Sequence, residues 1–274
     1  MLLYIPDGTE EKAAICRTTH LAIAAHQDDI EFMAYAPIAE CFGNQDKWFG
    51  AIVVTDGAGS PRSGLYADYT DEQMKKVRIV EQKKAAAIGE YGFLAMLGHP
   101  SKEVKDAGNP KIVEELADLI RRAKPKYLYT HNLADKHETH VATALKVIAA
   151  LRLLRPGERP EQVYGCEAWR NLDWLNDEEK VLMDCGPHPN LSRVITGVFD
   201  SQIAGGKRYD LAAEGRRQAN ATFLASHACD AYTALNYAMD LTPLMDEKTD
   251  IVSYISGHIE RFRQSVEDML TQLF

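Results

Sequence analysis

The sequence predicts one α/β domain over residues 1–274, Rossmann-like, with a mostly parallel sheet flanked by helices. Three observations predict it. Short apolar runs (21–24, 49–55, 93–97, 126–130) alternate with segments of helical periodicity, which is how strands joined by crossover helices read. The runs at 21–24, 49–55 and 126–130 lead into polar or glycine-bearing loops. No repeat, low-complexity tract or linker divides the chain, and at 274 residues one substantial core is attainable.

Taken in order, His20 to Ala25 forms the first strand, followed by a loop that lasts until Pro37. Proline suits the first turn of a helix, where its missing N–H costs nothing, so a helix is expected over 37–41 with Gly43 as its stop. Phe49 to Thr55 is the second strand, leading into the loop Asp56-Gly57-Ala58-Gly59-Ser60. Residues 61–69, with Arg62 and Tyr66, lack periodicity and are expected as a flap over a pocket. Thr70-Asp71-Glu72-Gln73 has the capping-box pattern and starts a long helix to about Tyr91, closed by Gly92. Phe93 to Leu97 is a short strand before the loop at 98–101. Asn109-Pro110 opens a helix striped by Ile112, Leu116, Leu119 and Ile120 and ended by Pro125. Lys126 to Thr130 is the next strand, and Thr139 is the expected cap of the helix after it. The later half reads more faintly: strands over 162–169 and 180–184, then helices near 191–203, 211–226 and 251–273, with Gly205-Gly206 separating the first two helices.

Composition excludes several classes. A net charge of −9 argues against a nucleic-acid surface, which needs a concentrated basic face. No run of eighteen apolar residues exists, so no membrane span is expected, and Met1 to Asp7 turns acidic too soon for a signal peptide. A cytoplasmic protein is therefore expected. Cys16, Cys41, Cys166, Cys185 and Cys229 are odd in number and lack a CxxC pair, so they read as reduced thiols; Cys166 alone ends a strand within reach of a site.

The chemistry concentrates at Ala25-His26-Gln27-Asp28-Asp29, directly after the first strand, where open α/β sheets keep their sites. Neighbouring carboxylates repel, and a cation relieves both. Further ligands occur in His131-Asn132-Leu133-Ala134-Asp135-Lys136-His137-Glu138-Thr139-His140. His26, Asp29 and one histidine of that cluster make a three-ligand set with positions left for water and substrate, as in catalytic zinc sites. A core histidine with a capping aspartate is the plainer account of His26 and Asp29 alone. Asp28, beside the pair but not needed to complete it, is the candidate general base, with orientation of a ligand histidine as the alternative. Asp135 is a candidate to orient His137. His99, His131, Tyr66 and Trp169 are candidates to line the pocket, each equally readable as packing or surface.

These motifs resemble the LmbE/PIG-L family of metal-dependent N-deacetylases. The family's Ala-His-Pro-Asp-Asp-x-Glu reads Ala25 to Glu31 here, and its Asp-x-His-x-x-His-x-Ala reads Asp135 to Ala142. A weaker Arg-x-x-Glu element is Arg78 to Glu81, and the resemblance covers about 18–145. Gln27 stands where the family has Pro, and Tyr35-Ala36 where it has a glycine pair. The resemblance implies zinc, or Fe2+ or another divalent metal, on His26, Asp29 and His140. It also implies Asp28 as base, His137 as oxyanion stabiliser or acid, and Arg78 against substrate hydroxyls; His137 and His140 can exchange roles. The implied reaction removes an acetyl or similar acyl group from the nitrogen of an amino sugar such as N-acetylglucosamine, or of a related glycoside. Alternatives are an amidase acting on a thiol-conjugated glycoside or another small acylated amine, and a non-catalytic nucleotide- or sugar-binding α/β protein. Against the last, no G-x-G-x-x-G follows the first strand. The number of subunits is left open, a homo-oligomer included.

Overall fold

The computed structural model describes residues 1–274. The elements in chain order are β1 (Leu2–Tyr4), α1 (Glu11–Cys16), β2 (His20–Ala24), α2 (Asp29–Met33), α3 (Tyr35–Cys41), β3 (Phe49–Thr55), α4 (Asp71–Ile88), β4 (Phe93–His99), α5 (Ser101–Lys105) and α6 (Lys111–Ala123). Then follow β5 (Tyr127–His131), α7 (Glu138–Leu153), β6 (Gln162–Cys166), β7 (Val181–Asp184), α8 (Pro189–Gly197), α9 (Asp200–Ile203), α10 (Tyr209–Phe223), β8 (Leu235–Asp240) and α11 (Ile251–Leu273).

All eight strands join one sheet in the order β1, β4, β3, β2, β5, β6, β8, β7. The pairings from β4 through β6 are parallel, and β1, β8 and β7 add antiparallel margins. The expected single-domain, mostly parallel α/β architecture is the one observed. Every residue of β2 and β3 is buried, as parallel strands covered on both faces require. Alternation along β2 sends Leu21 and Ile23 into one core and Ala22 and Ala24 into the other. The first core is closed by α6 and α7, through Ile112, Leu116, Ile120, Val147 and Leu151. Each such side chain contributes about 1.5–3 kcal/mol on burial. The second core is closed by α2, α3 and α8, through Ile30, Tyr35, Ile38, Leu191 and Ile195.

The strand order fixes where a site can form. From β2 the chain goes outward to β3 and β4, then returns to place β5 on the other side of β2. That reversal opens a crevice at the carboxyl ends of β2 and β5. Two loops more than a hundred residues apart in sequence are thereby brought side by side.

Several local expectations are corrected. The first helical segment after β2 starts at Asp29, inside the motif, because Asp28 at φ 90° turns the chain straight from strand to helix; Ala34, at φ −124°, separates α2 from α3. Pro37 lies in the first turn of α3, where no N–H is required of it. Helix α4 has the full Thr70–Gln73 capping box but stops at Ile88, before Gly89. His137, not Thr139, caps α7. The helix expected over 191–203 is divided into α8 and α9. Strand β4 runs on through His99, and β6 stops at Cys166. The flap segment holds a single 3₁₀ turn at Gly64–Tyr66 and is tied down, Tyr66 donating to Asp200 at 2.6 Å and Ser63 to the Gly205 carbonyl at 2.7 Å. Cys166 is buried beside Met183, 3.9 Å away, in the core under the sheet and off the cavity wall. Strands β1 and β8 and helix α1 have no counterpart in the sequence pattern. No helix is long and apolar enough to cross a membrane.

Candidate metal centre

Strand β2 delivers the motif loop and the end of β5 holds it. The Ala25 N–H donates to His131 Nε2 at 2.9 Å. That ring nitrogen is therefore an acceptor, the proton belongs on Nδ1, and burial together with the nearby His140 pushes the imidazole down to about 4. Its 3.4 Å approach to Asp29 Oδ2 is thus no ion pair at neutral pH. His131, Asp135 and His140 also cluster at metal-binding distances. The commitment of His131 to Ala25, and the absence of His131 and Asp135 from the cavity wall that His26 and Asp29 line, make this the weaker donor set.

Asp29 opens α2 and is the hub. Its Oδ2 accepts the His26 N–H at 2.7 Å and lies 3.0 Å from His26 Nδ1, while Oδ1 is 3.3 Å from His140 Nε2. Burial by itself would raise this carboxyl, but His140, His26 and His131 hold it well below the usual carboxylate range. His140, in the first turn of α7, has its Nδ1 3.3 Å from Asp135 Oδ2. Burial would lower His140, yet Asp29 and Asp135 together raise it to about 9. The structure thus brings His26, Asp29 and His140 together, with one ligand atom from each within 4.8 Å of the others. His140 Nε2 is buried and has no hydrogen-bond partner. Two imidazoles and one carboxylate around an orphaned ring nitrogen, in surroundings that retain positive charge, fit a divalent cation such as zinc.

Asp28 faces the cavity with its backbone in the left-handed region, a conformation a non-glycine residue holds only when its surroundings enforce it. Enforcement is visible. Its N–H donates to Gln82 Oε1 at 3.1 Å, and its Oδ2 accepts from Arg78 Nη2 at 2.9 Å. Burial lifts the carboxyl to about 6, against the pull of Arg78. Gln27, at the family's proline position, donates to the Thr55 carbonyl at 3.1 Å and ties the loop to β3. Gly57 passes so close that an added Cβ would lie 2.6 Å from Gln27 Oε1.

Two expected roles shift. Arg78 borders the cavity but is buried, its guanidinium engaged by Asp28, the Gln27 carbonyl and Glu81, so it holds Asp28 rather than standing free for substrate hydroxyls. Asp135 reaches the ring of His140; to His137 it offers only an acceptor for the backbone N–H, at 3.1 Å, because His137 caps α7 with its ring turned outward. That ring stacks on His140, centroids 4.4 Å apart, meets His26 edge-on and lines the cavity. Burial and His140 push His137 down to about 4, which leaves it a neutral donor.

The cavity encloses about 840 Å³, and its far wall comes from the half of the chain that reads faintly in sequence: Trp169, Lys207, Tyr209 and Arg216. No sequence motif marks Lys207, Tyr209 or Arg216. Trp169 is a candidate from sequence; Lys207 Nζ lies 5.2 Å over its ring, and Tyr209 meets it edge-on. Helix α10 is fixed to the motif by Arg217, which donates to the Glu31 and Phe32 carbonyls at 2.8 and 3.0 Å near the end of α2. Of the other candidates, His99 is 2.6 Å from Glu115 and outside the cavity, as is Tyr66.

Residues 21–151 match the family model described as PIG-L: GlcNAc-PI de-N-acetylase. These residues form a PIG-L family domain. The match covers both motif loops. A curated relative, 4-oxalmesaconate hydratase of Pseudomonas putida, is 25% identical over 177 residues, which cover 57% of this chain and 66% of that protein, just under two thirds of its length. Among solved structures, a conserved protein of Thermus thermophilus superposes with a TM-score of 0.65 at 20% identity, covering 82% of this chain and 95% of that one. The N,N'-diacetylchitobiose deacetylase of Pyrococcus horikoshii also gives 0.65, at 14% identity, covering 86% and 88%. At these identities the superpositions establish a shared fold.

Proposed function

We propose that this protein is a metal-dependent amide hydrolase that removes an acetyl or similar acyl group from the nitrogen of an amino sugar or related glycoside. The observation that carries it is the convergence of His26, Asp29 and His140 beside the cavity-facing Asp28. His26, Asp29 and His140 would hold a divalent ion, zinc in the first instance. Bound there, such an ion supplies Lewis acidity toward the acyl carbonyl and acidifies water. Asp28 takes a proton from the water that attacks the acyl carbon and returns it to the nitrogen as the C–N bond breaks. His137 donates an N–H to the oxygen that gains charge. Asp135 fixes the ring of His140, and Arg78 fixes Asp28. Trp169 and Tyr209 supply an aromatic wall for a sugar face.

A second reading has one observation in its favour. Lys136, Lys207 and Arg216 line the cavity without a carboxylate partner, Arg216 donating only to the Ala168 carbonyl. Such a wall suits a carboxylate-bearing substrate, and the curated relative is a hydratase named for one. In this reading the same Asp28 deprotonates water for addition across a carbon–carbon double bond, hydroxyl to one carbon and proton to its neighbour.

Metal analysis and two assays test both readings. The purified protein is expected to hold one transition metal per chain, to lose activity to a chelator and to regain it with zinc. Acetate release from a panel of N-acetylated amino sugars supports the first reading; loss of enone absorbance from an unsaturated 2-oxo dicarboxylate, without acetate release elsewhere, replaces it with the second. Asp28→Asn is expected to retain metal and lose about 10²- to 10⁴-fold in turnover. Undiminished turnover would remove Asp28 from the mechanism.

A further inference from the structure

Helix α11 leaves the body of the protein. Its first three turns are anchored: Tyr254 donates to the Asp240 carbonyl at 2.7 Å, and Glu179 lies 3.1 Å from His258 Nδ1 and 2.5 Å from Arg261 Nε. From Ile259 to Phe274 every residue is exposed. The hydrogen bonds beyond Arg261 stay within the helix, as in Arg263 to Glu260 and Glu267, and Gln264 to Asp268. A projecting helix of this length is marginal alone, because helices in water draw most of their stability from burying an apolar face.

The apolar face is there. Val252, Ile255, Ile259, Phe262, Val266, Met269 and Leu273 follow one another at intervals of three and four throughout. This is a heptad seam, with Val252, Ile259, Val266 and Leu273 at the first core position and Ile255, Phe262 and Met269 at the second. A helix that packs on its own domain shows a broader stripe; a seam of two positions per heptad fits one partner helix. The polar ladder of Glu260, Arg263 and Glu267 stands off the seam. Within the seam, Ile255 packs partly buried against the body and Phe262 meets Trp174 edge-on, ring centroids 6.5 Å apart, while Val252 is 73% exposed, Met269 63% and Leu273 80%. With Leu270 beside it, the stripe exposes on the order of 750 Å² per copy, so two copies would bury roughly 1,500 Å², the size of a standard stable interface.

We infer that α11 is the dimerisation element of this protein, its heptad seam pairing with the same helix of a second copy. The occupant is another α11 because the seam is apolar along its whole length, lacks charge at its core positions and exposes enough area to close a dimer by itself.

The test is the solution mass of the full-length chain by light scattering coupled to gel filtration, at micromolar concentration. Wild type is expected at twice the 30.6 kDa chain mass. Val266→Glu with Met269→Glu should reduce it to one chain mass while metal content stays unchanged, both positions lying in the stretch of α11 where every residue is exposed. Gln264→Glu, on the opposite face, should leave the dimer intact. A monomeric wild type would overturn the inference, including one that instead binds lipid vesicles. So would a dimer whose mass the double substitution does not change.

Discussion

Arg78 is the perturbation that separates a positioning role from a substrate-binding one. Its guanidinium is buried, 2.9 Å from Asp28 and 3.4 Å from Glu81. Burial already lifts Asp28 to about 6, and Arg78 is the largest influence opposing that rise. With Arg78→Met the opposing charge is gone, and a further rise of about two units would cut the ionised fraction at pH 7 from about nine tenths to about one tenth. Base catalysis should then fall about tenfold at neutral pH and recover as the pH rises. The acidic limb of kcat/KM moves alkaline because the base must be deprotonated to act. Removing one member of a buried pair also costs about 3–5 kcal/mol, so the profile is taken well below a melting temperature measured on the same sample. Arg78→Lys keeps the charge but cannot reach Asp28, the Gln27 carbonyl and Glu81 at once, so a smaller alkaline shift is expected. An acidic limb that stays fixed in Arg78→Met while KM rises would refute the reasoning and return Arg78 to the substrate.

Two further predictions concern the frame around the centre. Glu31 accepts from Gln82 and Tyr91 on one oxygen, at 2.8 and 2.7 Å, and burial raises it to about 8. Its native pKa exceeds the unfolded value, so stability from this group is full below about pH 4.5 and declines as pH rises to about 8, by on the order of 5 kcal/mol. Glu31→Gln keeps both donors satisfied and should flatten that decline, read as denaturant midpoints between pH 5 and 9; an unchanged slope would contradict it. Gly57→Ala meets both a positive φ of 74° and the Gln27 contact, and should destabilise by about 1–3 kcal/mol while disturbing Asp28 through the motif loop. Equal midpoints for Gly57→Ala and wild type would show that the loop yields without cost.

The motif loop is legible because strand, ligand types and spacing all point to the same sheet edge. The three histidines of the second cluster are not separable in sequence, since residue type alone gives each equal standing. What separates them is where the elements end. His131 closes β5 and turns its ring to Ala25, His137 caps α7 and faces the cavity, and His140 lies one turn in, between Asp29 and Asp135. Those placements follow from where α7 begins, and cap positions are the least determined part of a helix pattern.

The far wall is hidden for a different reason. Strand β8 carries Asn236 in its interior, buried and bonded to Glu167 and Arg217, so its pattern reads as too polar for a strand between two neighbours. Glu167, Asn220, Asn236 and Arg217 satisfy one another only after β6, β8 and α10 have assembled, and no periodicity announces such a network. Yet Arg217 of that network grips the end of α2 and sets α10 against the motif loop, which brings Tyr209 and Arg216 to the cavity. On the proposed function, the motif half would supply the chemistry, while the polar network of the other half positions the groups of the far cavity wall. On the proposed reading, discrimination between a neutral sugar and a carboxylate would fall to Lys207 and Arg216, which line the cavity from outside the two motifs.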